Sequence, residues 1–380
     1  MNSSRSPFNR SPAHPLIFMA RVLVTGASGF IGGQLVESLL AHGDEVTCLV
    51  RATSDTSALQ ERGVNLAIGD VTEPSSLPAA IAKADTVYHL AGLTKANTAA
   101  QFHRVNEAGV RNIVNACARR TSPPVVIIVS SLAAAGPTAD ANHPRTESDS
   151  PVPVSHYGRS KRAGELAAEA SAGELPITIV RPPIVLGPGD RTAVAFFRHI
   201  RRFRCFVVVN AQRQFSIIHV HDLAASIIAA ADHGERLPPP DSPSPRREDR
   251  GEGFSTDGHC NNASPGHASS GQGYYFVAAD QSPTFIELCR MLGRSVARPR
   301  ALAIRVPAAT AWAVGAVGQL AGRITFRPRY LNLDRARDLT AGHWICSSAK
   351  AQRDLAFTCA APLEDRILQT ADWYREHGWL

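Results

Sequence analysis

The chain has 380 residues, 44% hydrophobic and 19% charged, which excludes disorder throughout and excludes a membrane-embedded fold. Its length suits one large domain or two coupled ones. The formal net charge of +7 comes from arginine, since only Lys83, Lys95, Lys161 and Lys350 are lysines. No Lys/Arg-rich block occurs, so the charge reads as a solvated surface and no nucleic-acid partner is expected.

Seven scattered cysteines lack any CxxC spacing. Neither a disulfide framework nor a metal site is expected, and a reducing cytoplasm fits. Residues 1–20 mix Ser, Pro, Arg and Asn around a short apolar stretch at Leu16–Ala20. They read as a disordered tail, too weakly apolar for a signal-peptide core, with Met19 an alternative start.

Arg21–Thr25 is a short β-rich run, and an apolar helical pattern follows through Ala41. Strands are expected at Glu45–Val50, Val64–Ile68, Thr86–Leu90, Val125–Val129 and Ile177–Val180, separated by helical segments. Strand alternating with helix implies α/β architecture, a doubly wound parallel sheet with right-handed crossovers. Residues 21–187 are therefore expected to form a dinucleotide-binding domain.

Beyond residue 187 the rhythm is irregular. Helical patterns lie at Thr192–Arg202 and Val220–Asp232, with strand-like runs at Cys205–Val209, Phe215–Ile218 and Tyr274–Val277. Residues 188–380 read as a smaller substrate-binding region interleaved with the first. Within it, residues 234–273 are rich in Pro, Gly and Ser and poor in large apolar residues, so a disordered insertion is expected there. Val306–Leu320 is nearly uncharged. It is shorter than the roughly 20 residues a membrane span needs, and it reads as a buried core helix, with membrane-surface contact the sharper alternative.

Four motifs carry chemistry. Glycines 26, 29 and 32 fall between the first strand and the first helix, in the run Gly26-Ala27-Ser28-Gly29-Phe30-Ile31-Gly32. There the backbone can turn tightly and set unpaired helix N–H groups against a pyrophosphate. Ser28, Phe30 and Ile31 complete this cofactor-binding turn. At the end of the second strand stands Arg51, with no acid to bind ribose hydroxyls. An arginine can pair with a 2′-phosphate, which favours NADP(H) and leaves NAD(H) open. Asp70 and Val71 follow the third strand, where the aspartate can contact the adenine amino group or simply form a turn. The small residues of Leu90-Ala91-Gly92 after the fourth strand let the chain pass close to the cofactor.

The fourth motif is Tyr157-Gly158-Arg159-Ser160-Lys161. Its i, i+4 spacing puts Tyr157 and Lys161 on one helical face. An adjacent ammonium is expected to lower the phenol's pKa, so that Tyr157 exchanges a proton with a substrate alcohol or carbonyl. Lys161 can also hold the nicotinamide ribose. Ser131, at the end of the fifth strand, can hydrogen-bond the reacting carbonyl.

These segments, together with VNEAGVRNIVNAC at 105–117, RPPIVLGPGDR at 181–191 and HVHDLA at 219–224, resemble the extended short-chain dehydrogenase/reductase family, the NAD-dependent epimerase/dehydratase group. The resemblance runs from about Arg21 to the C-terminus, and Leu339–Phe357 looks closest to 3β-hydroxysteroid dehydrogenase and dihydroflavonol reductase relatives. It implies a Rossmann-type fold, a catalytic set of Ser131, Tyr157 and Lys161, and a structural Ser130. It also implies a site-proximal Asn106, and Pro182 and Ile184 lining the nicotinamide. Ser131 is followed by Leu132-Ala133, whereas sugar dehydratases of the family carry an Asp-Glu pair beside a threonine.

The leading expectation is an NAD(P)-dependent oxidoreductase acting on a small molecule with a ketone or secondary alcohol. The alternatives are a nucleotide-sugar epimerase with tightly bound NAD, and an inactive NADP(H)-sensing protein. A homodimer is allowed, and a stable membrane span is not expected.

Overall fold

The computed structural model describes residues 19–240, 271–325 and 332–380. The expected tail, save Met19 and Ala20, and residues 241–270 of the expected insertion lie outside the described residues.

Five of the strands read from the sequence belong to the main sheet and are, in chain order, β1 (Arg21–Thr25), β2 (Glu45–Val50), β3 (Asn65–Ile68), β4 (Thr86–His89) and β5 (Val125–Val129). β6 (Ile177–Arg181) follows. The short strands β7 (Ile184–Leu186), β8 (Cys205–Val208), β9 (Ile217–His219), β10 (Tyr274–Phe276) and β11 (Leu302–Arg305) complete the described set. The main sheet is seven-stranded, in the order β3-β2-β1-β4-β5-β6-β10, and every pairing in it is parallel. Val24, for example, stands between Cys48 and Tyr88. Strands buried on both faces are apolar throughout, as VVIIV of β5 is.

One face carries the core of Leu35, Val36, Leu39, Leu223, Ile227 and Tyr275. The other carries Leu77, Ile81, Val110, Ile113 and Ile177. A third core, around Phe197, Ile200, Leu292, Ile367 and Tyr374, belongs to the later part of the chain.

Three expectations need correction. Tyr274–Val277 was expected in the smaller region, but β10 pairs with β6 and extends the main sheet. Its aromatic side chains are buried, and burial on that edge is what draws it in. Residues 234–240, expected within the disordered insertion, are ordered against the main sheet. The Leu237 amide donates to the Ile177 carbonyl, its side chain is buried, and Glu235 and Arg236 bond to Thr178. Leu237 supplies the apolar anchor that composition averaging hid. The apolar run expected as a buried core helix forms the helix Ala308–Thr325, and it lies on the surface. Only Gly315 and Gly322 of it are buried.

Candidate active site

The glycine turn, Leu90-Ala91-Gly92, Ser131 and the Tyr157–Lys161 pair gather at the carboxyl ends of β1, β4 and β5, the edge where doubly wound sheets place ligands, while Arg51 and Asp70 follow β2 and β3. After β1 the chain turns through Gly26 at φ 73°, a left-handed conformation that favours glycine. A Cβ there would lie 2.7 Å from the Ala91 nitrogen, and one on Gly32 would run into the Gly26 carbonyl oxygen. The two loops that carry Gly26 and Leu90-Ala91 therefore touch through backbone. Thr25 locks them: its hydroxyl accepts from the Ala91 amide and bonds the His89 ring. That histidine is buried and held to about 3 by burial and the Lys161 charge, so it is neutral packing.

The helix Phe30–His42 begins here with no side-chain cap on Gly29 and no acid in its first turn. Its free N–H groups and positive dipole end fit a pyrophosphate. Ser28, Phe30 and Ile31 sit in this turn. A Cβ on Gly92 would lie 3.1 Å from Asn106 Oδ1 and 3.7 Å from Lys161 Nζ, so the chain passes close to both side chains there. Arg51 is exposed just beyond β2. Asp70 accepts from the Thr72 amide and hydroxyl, an Asx turn. Val71 is buried under Gly109, and its carbonyl accepts from Asn112. Pro182 is buried and its carbonyl takes the Leu132 amide, while Ile184 is exposed.

Ser131 caps the short helix Leu132–Ala135 by accepting from the Ala133 amide, and its hydroxyl is close enough to Tyr157 to favour the ionised phenol. Tyr157 lies in the first turn of the helix His156–Glu169, capped by Ser155. Burial pushes its phenol above the ordinary value, against the Ser131 hydroxyl and the Arg335 charge, and Asp338 adds to the rise. The expected lowering by Lys161 is thus not found. The buried Lys161 ammonium donates instead to the Val129 carbonyl at 2.8 Å, and burial lowers it to about 8. Hydroxyl, phenol and ammonium are nonetheless brought to one place.

Behind them runs a buried network. Ser130 donates to Glu165 at 2.5 Å, and Arg181 grips the same carboxylate through Nε and Nη2 at 2.8 and 2.7 Å. Burial opposes the Glu165 charge, yet Arg181 outweighs it and holds the carboxyl below its ordinary range. This ties β5, the Tyr157 helix and β6 together, the structural part expected of Ser130. Asn106 joins the Leu93 loop to Ser160, so it braces the helix that carries Tyr157.

A family model, the NAD dependent epimerase/dehydratase family, matches residues 22–242. The chain belongs to this family. Among its most similar curated relatives is the ceramide reductase of Caulobacter vibrioides, 30% identical over 94% of this chain and 96% of the relative. A ketoreductase of a farnesylated dihydroquinoline oxide from Stigmatella aurantiaca is 29% identical over 56% of this chain, and the match spans 65% of that relative. A solved UDP-glucuronic acid 4-epimerase from Bacillus cereus, bound to NAD, covers 94% of this chain and 99% of its own at TM-score 0.68 and 16% identity, a likeness of fold. This member of the extended short-chain family is an oxidoreductase with a nicotinamide-binding Rossmann fold.

Sequence reasoning missed the helix Leu333–Thr340. Asp334 accepts from the His156 and Tyr157 amides at 2.6 and 3.0 Å, a carboxylate at the N-terminus of the Tyr157 helix. Asp338, raised to about 6 by burial against the pull of Arg335, lies behind it. Asn332 caps this helix by accepting from the Arg335 amide, so the helix itself could have been read. Its contact with residues nearly half the chain away could not. A cavity of about 310 Å3 opens beside Tyr157, lined by Phe102, His156, Leu333, Gln319, Arg323 and Arg337 among others.

Proposed function

We propose that the protein is a carbonyl reductase, reversible as an alcohol dehydrogenase, for a lipophilic ketone or secondary alcohol. The single observation that carries this is the convergence of Ser131, Tyr157 and Lys161 at the strand edge beside the glycine turn. Bound there, a nicotinamide cofactor supplies or accepts a hydride at its C4. Gly26, Ser28, Gly29, Phe30, Ile31 and Gly32 hold the pyrophosphate, Asp70 and Val71 the adenine end, and Leu90, Ala91, Gly92, Pro182 and Ile184 the nicotinamide side.

Tyr157 donates its phenolic proton to the carbonyl oxygen as the alcohol forms, and accepts it in reverse. A phenol raised by burial is fully protonated at neutral pH, the state a reductase needs. Ser131, beside that phenol, orients the oxygen. Lys161 stands on the same helical face and supplies charge near the ribose hydroxyls. The lipophilic class is suggested by the cavity's Phe102 and Leu333 and by the names of the two curated relatives.

Tyr157→Phe tests the assignment. Turnover of a ketone panel falls by ~10²–10⁴-fold, while cofactor titration is unchanged. Retention of more than about a tenth of the activity removes Tyr157 as the general acid. NADP(H) is the proposed cofactor, on the strength of Arg51 at a strand end without an acid. Charge-assisted bonds to the 2′-phosphate favour NADPH by roughly 1.5–3 kcal/mol, about one to two decades in affinity, and Arg51→Asp reverses the order. Equal fluorescence titrations with both reduced cofactors, unmoved by the substitution, would leave no case for NADP.

A further inference from the structure

We infer that the helix Ala308–Thr325, with the strand that leads into it, docks on the surface of a lipid bilayer carrying anionic headgroups. The helix has one charged residue, Arg323, in 18. Its small residues Gly315 and Gly322 face inward, where a Cβ on Gly315 would meet Asn332 and Ala336. Its large apolar residues face out. Val317, Leu320 and Ile324 are 69%, 60% and 69% exposed, at the i, i+3, i+7 spacing of one stripe, and Trp312 and Val314 are exposed beside them. β11 ends three residues before the helix begins. Leu302 and Ile304 share one face of that strand, Val207 of β8 is paired with Ile304, and all three are exposed.

The charge says what covers this face. From Leu288 to Leu333 the sequence has eight arginines and no Asp, Glu or Lys, one positive charge more than the net +7 of the whole chain. The arginines stand singly, so they form no basic block, but the acids are missing. Arg294 is engaged with Glu364, while Arg300 and Arg305 at the two ends of β11 and Arg323 near the end of the helix are exposed. An exposed apolar stripe flanked along the chain by arginine suits an anionic bilayer: side chains enter the headgroup boundary and guanidinium groups stay at phosphate depth. Trp312 is of the type enriched at that boundary. A second copy fits poorly, because a two-fold contact sets this segment against itself and brings its like charges together. The helix lies on the membrane: among the described residues no helix is long and apolar enough to cross one.

The inward side of the same helix reaches the cavity beside Tyr157 through Gln319 and Arg323. Docking therefore sets the mouth of that cavity at the bilayer, where an apolar ketone is concentrated. This last step rests on the reductase reading; the docking does not.

The test is co-sedimentation of the full chain with vesicles of phosphatidylcholine mixed with phosphatidylglycerol, and with phosphatidylcholine alone. The protein pellets with the mixed vesicles and far less with the neutral ones. Both the pair Val317→Glu/Ile324→Glu and the pair Arg300→Glu/Arg305→Glu reduce binding by about tenfold or more. Unchanged circular dichroism and unchanged cofactor titration show that both variants are folded. The inference is overturned if the wild-type chain stays in the supernatant with mixed vesicles, or if neither pair of substitutions moves its binding. It is also overturned if, without lipid, sedimentation velocity shows a dimer that Val317→Glu/Ile324→Glu converts to monomer, for the face then belongs to a second copy. If vesicle binding persists while every ketone fails to turn over, the reductase reading falls and the docking stands.

Discussion

At the ends of β1 and β4 the candidate site is made of backbone, whereas over Tyr157 it is made of side chains from distant parts of the chain. Gly26, Gly32 and Leu90-Ala91 approach so closely that a single Cβ collides with a main-chain atom. Around Tyr157, by contrast, Asp334, Asp338 and Arg335 arrive on a helix nearly half the chain away. A backbone-built site tolerates few residue types and leaves a spacing in the sequence. A side-chain-built site can be remade with other residues, so the same fold can hold different substrates.

Three substitutions break or sharpen this contrast. Glu165→Ala removes one partner of the buried Glu165–Arg181 pair and leaves a guanidinium without its carboxylate. Stability falls by about 3–5 kcal/mol, read as a lower denaturation midpoint at unchanged slope. A loss under about 1 kcal/mol would mean that the network does not hold β5, β6 and the Tyr157 helix together.

Gly32→Ala probes the backbone-built side alone. The added methyl must displace the Gly26 carbonyl, which costs about 1–3 kcal/mol and spoils the cofactor turn. Calorimetric cofactor binding weakens strongly while the cavity beside Tyr157 is untouched. Normal cofactor affinity would show that the turn can yield.

Asp334→Asn probes the other side. The amide keeps one acceptor for the His156 and Tyr157 N–H groups but loses the charge at the helix N-terminus. Stability changes by about 0.5–2 kcal/mol, as for an altered cap. The rate falls modestly with cofactor affinity intact. Cofactor affinity falling in step with the rate would place Asp334 on the wrong side of the comparison.

How much could be read beforehand follows the same division. The parallel sheet was legible because β1, β2, β4 and β5 are apolar runs set apart by helical periods. The placing of Tyr157 and Lys161 on one helix was legible because their i, i+4 spacing lies in a local stretch of chain. The pKa order was not, because burial of Tyr157 and the bond from Lys161 to Val129 exist only after folding. The exposure of Val317 and Ile324 was also hidden, since an uncharged run looks the same whether a core or a different apolar medium receives it. Leu237 was lost in a segment judged by average composition.

The pairing of β10 with β6 has a consequence for synthesis. Until Tyr274–Phe276 has left the ribosome, β6 is an open sheet edge with its amides and carbonyls unpaired along one side. The nucleotide-binding half therefore cannot complete itself in the order in which it is made. A chain cut near residue 187 would keep every cofactor motif up to that point and yet expose a strand built to be covered, so its expected fate is self-association rather than an independent domain.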